Sequence, residues 1–235
     1  MIPWLEDTPG FPPVDHALTE PNGLLAAGGA LSPDWLLTAY RQGIFPWFNP
    51  GEPILWWSPN PRLVLAPADT HISHSLRKTL RRRHFEVRFD TAFDTVIDAC
   101  AAPRGAKPGT WITPGIRAAY RRMHELGYAH SVESWREGQL VGGLYGMALG
   151  QVFFGESMFS IESNASKVAL AHLARFLQTQ GYVMIDCQMT TSHLLSMGAH
   201  EISRSQFCAT LARHTTTGAG PGRWPADATH DIHWV

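Results

Sequence analysis

The chain has 235 residues, 44% of them hydrophobic and 17% charged, enough to bury a sizeable core as one large domain or two modest ones. Its 19 Lys and Arg against 20 Asp and Glu leave a formal charge of -1. That excludes both a polycation coating nucleic acid by global charge and an acidic disordered chain.

Aromatic residues at 11%, with 9 Trp, exceed what a minimal core requires and make flat surfaces available for stacking or apolar recognition. The opening residues, Met1 to Asp7, lack the basic-then-apolar pattern of a signal peptide, and no apolar run approaches the ~18 residues of a membrane span. Cys100, Cys187 and Cys208 are odd in number and show no CxxC spacing. Neither a disulfide scaffold nor a zinc ribbon is expected, and a reducing, cytoplasmic compartment is.

Residues 1–60 are rich in Pro, Gly and Trp and carry one well-marked helix. Ser32 is its N-cap, Pro33 suits its first turn, Leu36, Leu37 and Tyr40 form its apolar stripe, and Gly43 offers a left-handed stop. Residues 45–48 and 55–59 read as loops holding stiff aromatics between prolines. This predicts a small N-terminal domain over residues 1–60 and a larger domain over residues 61–235. In the larger one, Arg62 to Ala66 and Phe85 to Asp90 are predicted strands, and Ala92 to Cys100 a helix. The next helix has Thr113 as N-cap, Pro114 behind it, Ile116, Ala119, Tyr120 and Met123 on one face, and Gly127 as stop. A meander follows over Ala129 to Trp135, Leu140 to Leu149 and Gln151 to Ser160. A helix capped by Ser163 or Asn164 runs to Gly181, and Tyr182 to Met189 is a further strand. Short helices at Ser192 to Met197 and Arg204 to His214 finish the ordered part. The Gly/Pro-rich tail from Thr215 is expected to be loosely held. Strand, two helices, three-strand meander, helix, strand is the order of a GNAT-type acyltransferase core, an α+β fold.

Two predicted strands carry acids among apolar neighbours. In Tyr182 to Met189, period two puts Asp186 and Gln188 on one face and Ile185, Cys187 and Met189 on the other. Val152 to Phe159 repeats the pattern, with Glu156 beside Phe154 and Met158. Carboxylates in such settings must be paired, hydrogen-bonded or functional. If the strands are neighbours, both acids open into one apolar cleft; the alternative is buried carboxylates bonded to backbone amides or an arginine.

Arg77, Lys78, Arg81, Arg82 and Arg83 place five cations in seven residues without an acid, which suits a phosphate backbone or a solvated face. Trp47, Trp56, Trp57 and Trp111 sit in Pro- or Thr-bounded contexts. There, base stacking worth about 1–3 kcal/mol per base competes with gluing a small domain to a large one. Other signals carry less. Cys187 reads as a core thiol rather than a nucleophile. His71 and His74 lack a third ligand, so no metal is expected, and no G-x-x-x-x-G-K-[ST] loop points to ATP. Close strand packing explains Gly142-Gly143-Leu144-Tyr145-Gly146 as well as a ligand does.

Seven stretches carry a resemblance, in order over residues 20–205. They are Glu20-Pro21-Asn22-Gly23-Leu24-Leu25-Ala26, Gly43-Ile44-Phe45-Pro46-Trp47-Phe48, Ile54-Leu55-Trp56-Trp57-Ser58-Pro59, Gly109-Thr110-Trp111-Ile112-Thr113, Gly155-Glu156-Ser157-Met158-Phe159-Ser160, Asn164-Ala165-Ser166-Lys167 and Ile185-Asp186-Cys187-Gln188. Together they resemble the leucyl/phenylalanyl-tRNA–protein transferase family. The resemblance implies a soluble enzyme that takes Leu, Phe or Met from aminoacyl-tRNA. It attaches that residue to the N-terminal Arg or Lys of an acceptor protein, creating a degradation signal. A GNAT-like domain preceded by a small N-terminal domain is implied, with no cofactor and no membrane partner. Where GNAT acetyltransferases grip a cofactor pyrophosphate with a Gly-rich loop, this chain reads Ile161-Glu162-Ser163-Asn164-Ala165-Ser166-Lys167. That argues against CoA and fits an acyl donor carried on tRNA.

The donor ester of such a reaction is already activated. The site must position the reactants, remove a proton and stabilise the tetrahedral oxyanion. The acceptor's α-amine has a reference pKa of about 7.7–8.0. Asp186 is the expected proton acceptor, directly or through Gln188, and Asp186→Asn is expected to cut turnover while leaving the fold intact. The resemblance assigns Glu156 to the acceptor's cationic side chain or its amine, and Trp47 and Trp111 to the terminal adenosine. Tyr120, Met158, Ile185, Leu173 and Leu177 fall to substrate binding, and Arg77, Lys78, Arg81, Arg82 and Arg83 to tRNA. Leu173 and Leu177 stand where some relatives carry aromatics, the loop at residues 103–108 looks longer than usual, and the tail after His214 carries no family motif. Two readings compete: an acyl-CoA-dependent N-acyltransferase, and a non-catalytic tRNA- or peptide-binding module.

Overall fold

The computed structural model describes residues 2–102, 110–218, 220–230, 232 and 234, so the loop at 103–108 lies outside the described residues. In the first 60 residues, β1 (Trp4–Leu5), β2 (Leu24–Gly28), β3 (Phe45–Pro46) and β4 (Leu55–Trp57) form one sheet in the order β1-β2-β4-β3, with helix α1 (Pro33–Arg41) between β2 and β3. The aromatic stretches expected to be loops are therefore strands. Two- and three-residue strands between prolines are too short to show a period, and only their pairing across the chain defines them.

Beyond them come β5 (Arg62–Leu65), α2 (His74–Arg81), β6 (Glu86–Phe89), α3 (Phe93–Ala101), α4 (Pro114–Glu125), β7 (Ala129–Arg136), β8 (Gln139–Leu149), β9 (Val152–Ser160), α5 (Ala165–Thr179), β10 (Met184–Gln188), α6 (Ser192–Leu195), β11 (His200–Ile202) and α7 (Arg204–His214). The seven strands order as β11-β5-β10-β9-β8-β7-β6. Within this sheet, among the described residues, only the β9–β10 pair is parallel, as a strand pair joined through a crossover helix must be. The succession from β6 to β10 is the predicted GNAT-type order, and the fold is α+β. The basic run 77–83 lies on and just after α2, which Ser73 caps by accepting the Leu76 N–H and which buries Leu76 and Leu80.

One buried cluster joins Leu25, Trp35, Tyr40 and Trp56 from the first 60 residues to Tyr120, Phe154 and Phe207 from the rest. Another packs α2 and α5 against β5 and β8–β10 through Leu65, Leu76, Leu144, Leu173 and Ile185. Gly142 lets α5 sit directly on the sheet: a Cβ there would lie 2.4 Å from that of Ala165. At Gly146 a Cβ would meet the Phe154 carbonyl at 2.2 Å, so close packing accounts for these glycines.

The tail is anchored, against the expectation of a loose one. Trp224 stacks on His130 with ring centroids 3.8 Å apart and lies against Phe176 and Phe153. Its backbone N–H donates to Asp90 Oδ2 at 2.9 Å, and Ala226 accepts the Phe89 N–H at 3.1 Å. Trp224, with Thr229 and Trp234 on His172, fixes a segment whose composition alone reads as loose. Among the described residues no helix is long and apolar enough to cross a membrane.

Candidate active site

β9 and β10 pair only from Met184 opposite Val152 to Asp186 opposite Phe154. Just past that point each strand carries a bulge. On β9, Tyr145 pairs with Ser157 and Gly146 with Gly155, which leaves Glu156 as the extra residue. On β10, Val64 pairs with Asp186 and Leu63 with Gln188, which leaves Cys187 extra. Bulges bend a strand and re-aim side chains, so strict period two fails here. Ile185, Asp186, Cys187 and Gln188 all border one cavity of about 950 Å³. Gln188 adopts φ 60°, a left-handed conformation uncommon outside glycine.

The two acids do meet at this cavity, but in different states. Asp186 is fully buried and gripped by Arg62: Nε donates to Oδ1 at 2.8 Å and Nη2 to Oδ2 at 2.6 Å. The Gln188 N–H also donates to Oδ1, at 2.9 Å. Arg62 is itself 1% exposed, its guanidinium lies 4.7 Å from the Phe45 ring centroid and 4.5 Å from that of Phe207, and Nη1 donates to the Gly43 carbonyl. For Asp186, then, the arginine-and-amide alternative is the one realised. Both its oxygens accept hydrogen bonds from within the protein.

Glu156 is 8% exposed. Its Oε1 accepts from Tyr40 Oη at 2.5 Å and from Gln188 Nε2 at 3.2 Å. Oε2 is buried and has no hydrogen-bond partner among the described residues. With Tyr40's one proton committed to Glu156, the Tyr120 hydroxyl donates to Tyr40. Burial keeps both phenols protonated, reinforced by the Glu156 charge.

Burial also pushes the Glu156 carboxyl up from 4.5 to about 7; the Tyr40 and Tyr120 hydroxyls pull it down and the Asp186 charge adds to the rise. A folded-state pKa above the unfolded value means the folded chain holds a proton that the unfolded chain releases. Glu156 therefore costs stability increasingly as pH rises from 4.5 to about 7. The stability difference between Glu156→Gln and the wild type is expected to move in the variant's favour across that window, read from urea midpoints at fixed temperature.

The other predicted residues divide. Trp47, Trp111, Met158, Leu173 and Ile185 border the cavity. Trp57, also on the cavity, braces Trp47: its Nε1–H donates to the Trp47 carbonyl at 2.6 Å, with the rings edge to face. Trp56 is fully buried and donates to the Gly28 carbonyl, so of the four tryptophans it is the one that glues the core. Leu177 is fully buried behind the cavity wall. Tyr120 is fully buried, its hydroxyl bonded to that of Tyr40 and acting on Glu156. Lys78, Arg82 and Arg83 are exposed and make no ion pair among the described residues, while Arg81 Nε donates to the Trp234 carbonyl. Burial pushes the Cys187 thiol up, which suits a core thiol and not a nucleophile.

Three polar residues of the site were not singled out from sequence. Arg62 begins a strand that continues Leu-Val-Leu, and a cation there signals a buried counter-charge. Tyr40 counted only as an apolar helix position, yet a buried phenol needs a partner for its hydroxyl. His193 borders the cavity, its buried Nε2 without a hydrogen-bond partner among the described residues, and burial, then the charge of Lys167, holds its pKa down. Among the described residues no three His, Cys, Asp or Glu converge as a metal-binding set.

A family profile for leucyl/phenylalanyl-tRNA protein transferase matches residues 64–212, and one for the N-terminal domain of the same proteins matches residues 29–60. A leucyl/phenylalanyl-tRNA–protein transferase of Azoarcus sp. (strain BH72) is 70% identical over 234 residues, covering 100% of both chains. That of Aromatoleum aromaticum is 66% identical over 232 residues, covering 99% of this chain and 98% of its own. The likeness therefore runs through the anchored tail as well as the cavity. The chain belongs to the leucyl/phenylalanyl-tRNA–protein transferase family and is an aminoacyltransferase.

Proposed function

We propose that this chain moves Leu, Phe or Met from aminoacyl-tRNA to the N-terminal Arg or Lys of acceptor proteins, marking them for degradation in the cytoplasm. The observation that carries this reading is the two-natured cavity. Met158, Leu170, Leu173 and Ile185 form an apolar wall beside the buried carboxylate of Glu156. An apolar acyl side chain and a cationic N-terminus find complementary surfaces side by side. Leu177 backs the wall, and selection among acyl side chains is a matter of hydrophobic fit, worth about 1–3 kcal/mol per methylene.

Asp186 serves in this reading by fixing Gln188, whose backbone N–H it accepts. The Gln188 side chain gives one N–H to Glu156 and keeps its carbonyl for the acceptor's amine. Tyr120 steadies Tyr40 and, through it, Glu156. Residues 1–60 act as a small domain closing one side of the cavity, with Phe45, Trp47 and Trp57 facing residues of the larger domain across it. Trp47 and Trp111 hold the terminal adenosine. Replacing either by Ala is expected to raise KM for aminoacyl-tRNA at the scale of one missing stack, about 1–3 kcal/mol, with kcat less affected.

Arg77, Lys78, Arg81, Arg82 and Arg83 form the patch for tRNA phosphates. Arg82→Gln with Arg83→Gln should flatten the dependence of log affinity on log salt by roughly 0.9 for each phosphate no longer neutralised; an unchanged slope would remove this helix from the tRNA path. The deciding assay incubates the protein with labelled Leu-tRNA and an Arg-terminated peptide, with and without ribonuclease, beside labelled acetyl-CoA as donor. Ribonuclease-sensitive transfer from Leu-tRNA is expected. Transfer from acetyl-CoA alone, or binding without product, would overturn the reading.

A further inference from the structure

We infer that Glu156 is itself a catalytic residue, the group that takes the proton from the attacking amine through Oε2 and returns it to the leaving ribose oxygen. The inference rests on the transfer reaction proposed above and concerns which atom moves the proton. Two carboxylates border the cavity, and the geometry separates them. Asp186 has both oxygens bonded inside the protein: Oδ1 accepts from Arg62 Nε and the Gln188 N–H, and Oδ2 from Arg62 Nη2. Glu156, which borders the cavity, commits only Oε1, to Tyr40 and Gln188, while its buried Oε2 has no hydrogen-bond partner among the described residues. A buried, unpartnered acceptor costs free energy in the empty site, and an N–H from substrate supplies its hydrogen bond.

The groups facing Glu156 make the role workable. Tyr40 from α1 bonds it and Tyr120 from α4 bonds Tyr40, with Tyr145 of β8 edge-on to Tyr120. Asp186 and Gln188 approach from β10, and Arg62 of β5 neutralises Asp186. With both phenols held protonated, Glu156 is the member of the Tyr120–Tyr40–Glu156 chain that changes charge. Its pKa of about 7 suits a base that must also act as an acid near neutral pH.

The step balances within the site. The neutral amine nitrogen attacks the ester carbonyl carbon, the C–N bond forms, and the carbonyl π pair moves onto oxygen. Oε2 accepts the N–H proton. The oxyanion pair returns, the bond from carbon to the ribose oxygen breaks, and Glu156 gives that oxygen the same proton. The carboxylate is regenerated and no other reactant is needed.

The test is the pH profile of kcat/KM for transfer from Leu-tRNA to an Arg-terminated peptide, for the wild type, Glu156→Gln, Glu156→Asp and Asp186→Asn. The wild type needs both Glu156 and the amine deprotonated. Below pH 7 its log kcat/KM should therefore climb with a slope one larger than that of Glu156→Gln, in which the amine titrates alone. Glu156→Gln should fall about 10²–10⁴-fold, the usual range for general-base help. Glu156→Asp should lose rate and keep the steeper slope, as should whatever activity Asp186→Asn retains. An unchanged slope and near-normal rate in Glu156→Gln would overturn the inference, as would loss of the extra slope in Asp186→Asn instead. Wild-type protein that transfers nothing from Leu-tRNA would overturn the underlying reading and not this assignment alone.

Discussion

Asp186→Asn is expected to lower the free energy of unfolding by about 3–5 kcal/mol, the scale for breaking a buried ion pair by removing one partner. The sequence alone led to the opposite expectation for the fold, because a carboxylate poised as a base can be neutralised at no structural cost. In the structure Asp186 is the counter-charge of an Arg62 that is 1% exposed and packed between Phe45 and Phe207. Asn can accept from one guanidinium N–H but leaves the cation unneutralised.

Turnover should fall with stability, because the same carboxylate holds the Gln188 N–H and so the left-handed turn that aims Gln188 at Glu156. A double variant, Arg62→Met with Asp186→Val, separates the two effects. Replacing both charges by apolar groups of similar volume is often neutral or stabilising, so stability should largely return while turnover stays low. Urea unfolding midpoints and single-turnover transfer rates check this. Wild-type stability in Asp186→Asn would mean that Arg62 finds another partner.

What could be seen in advance follows the range of the interactions involved. Most elements from residue 62 to residue 214 rest on local signals, α2 and β11 excepted. Thr113 caps α4 by accepting the Ile116 N–H, and the capping box at Ser203 and Gln206 opens α7. The acids stood out because a carboxylate inside an apolar strand always demands an explanation. Which explanation applied was a tertiary matter. Arg62 reaches Asp186 across 124 residues of sequence, and Tyr40 reaches Glu156 across 116. No periodicity reports such pairings, and alternation actively misleads at a bulge. Both bulges fall at the acids, so the regular pattern broke down at the place where the chemistry is set. The short N-terminal strands were hidden for a related reason, since two or three residues between prolines become a strand only when a partner arrives.

Trp224→Ala is expected to cost about 3 kcal/mol, the low end of the range for removing a large aromatic from a packed site. The indole is partly exposed, which keeps the figure from the top of that range, but it packs against five rings: His130, Phe176, Phe153, Phe89 and Tyr182. Offset and tilted ring pairs add about 0.5–1.5 kcal/mol beyond area burial. The loss reaches the sheet as well. Asp90 accepts from His130 Nδ1, the Ser131 N–H and the Trp224 N–H, so the tail ties the end of β6 to β7. Phe153, against which the indole lies, is the residue of β9 that pairs with Ile185 of β10, a short step before the bulge that carries Glu156. Trp224→Ala should therefore lower the urea midpoint and, under conditions where the protein stays folded, raise amide exchange in β6 and β7 first. Trp224→Phe should recover part of the midpoint by restoring a ring over His130. A tail that merely drapes over the surface would instead let Trp224→Ala unfold at the wild-type midpoint, with exchange unchanged in both strands.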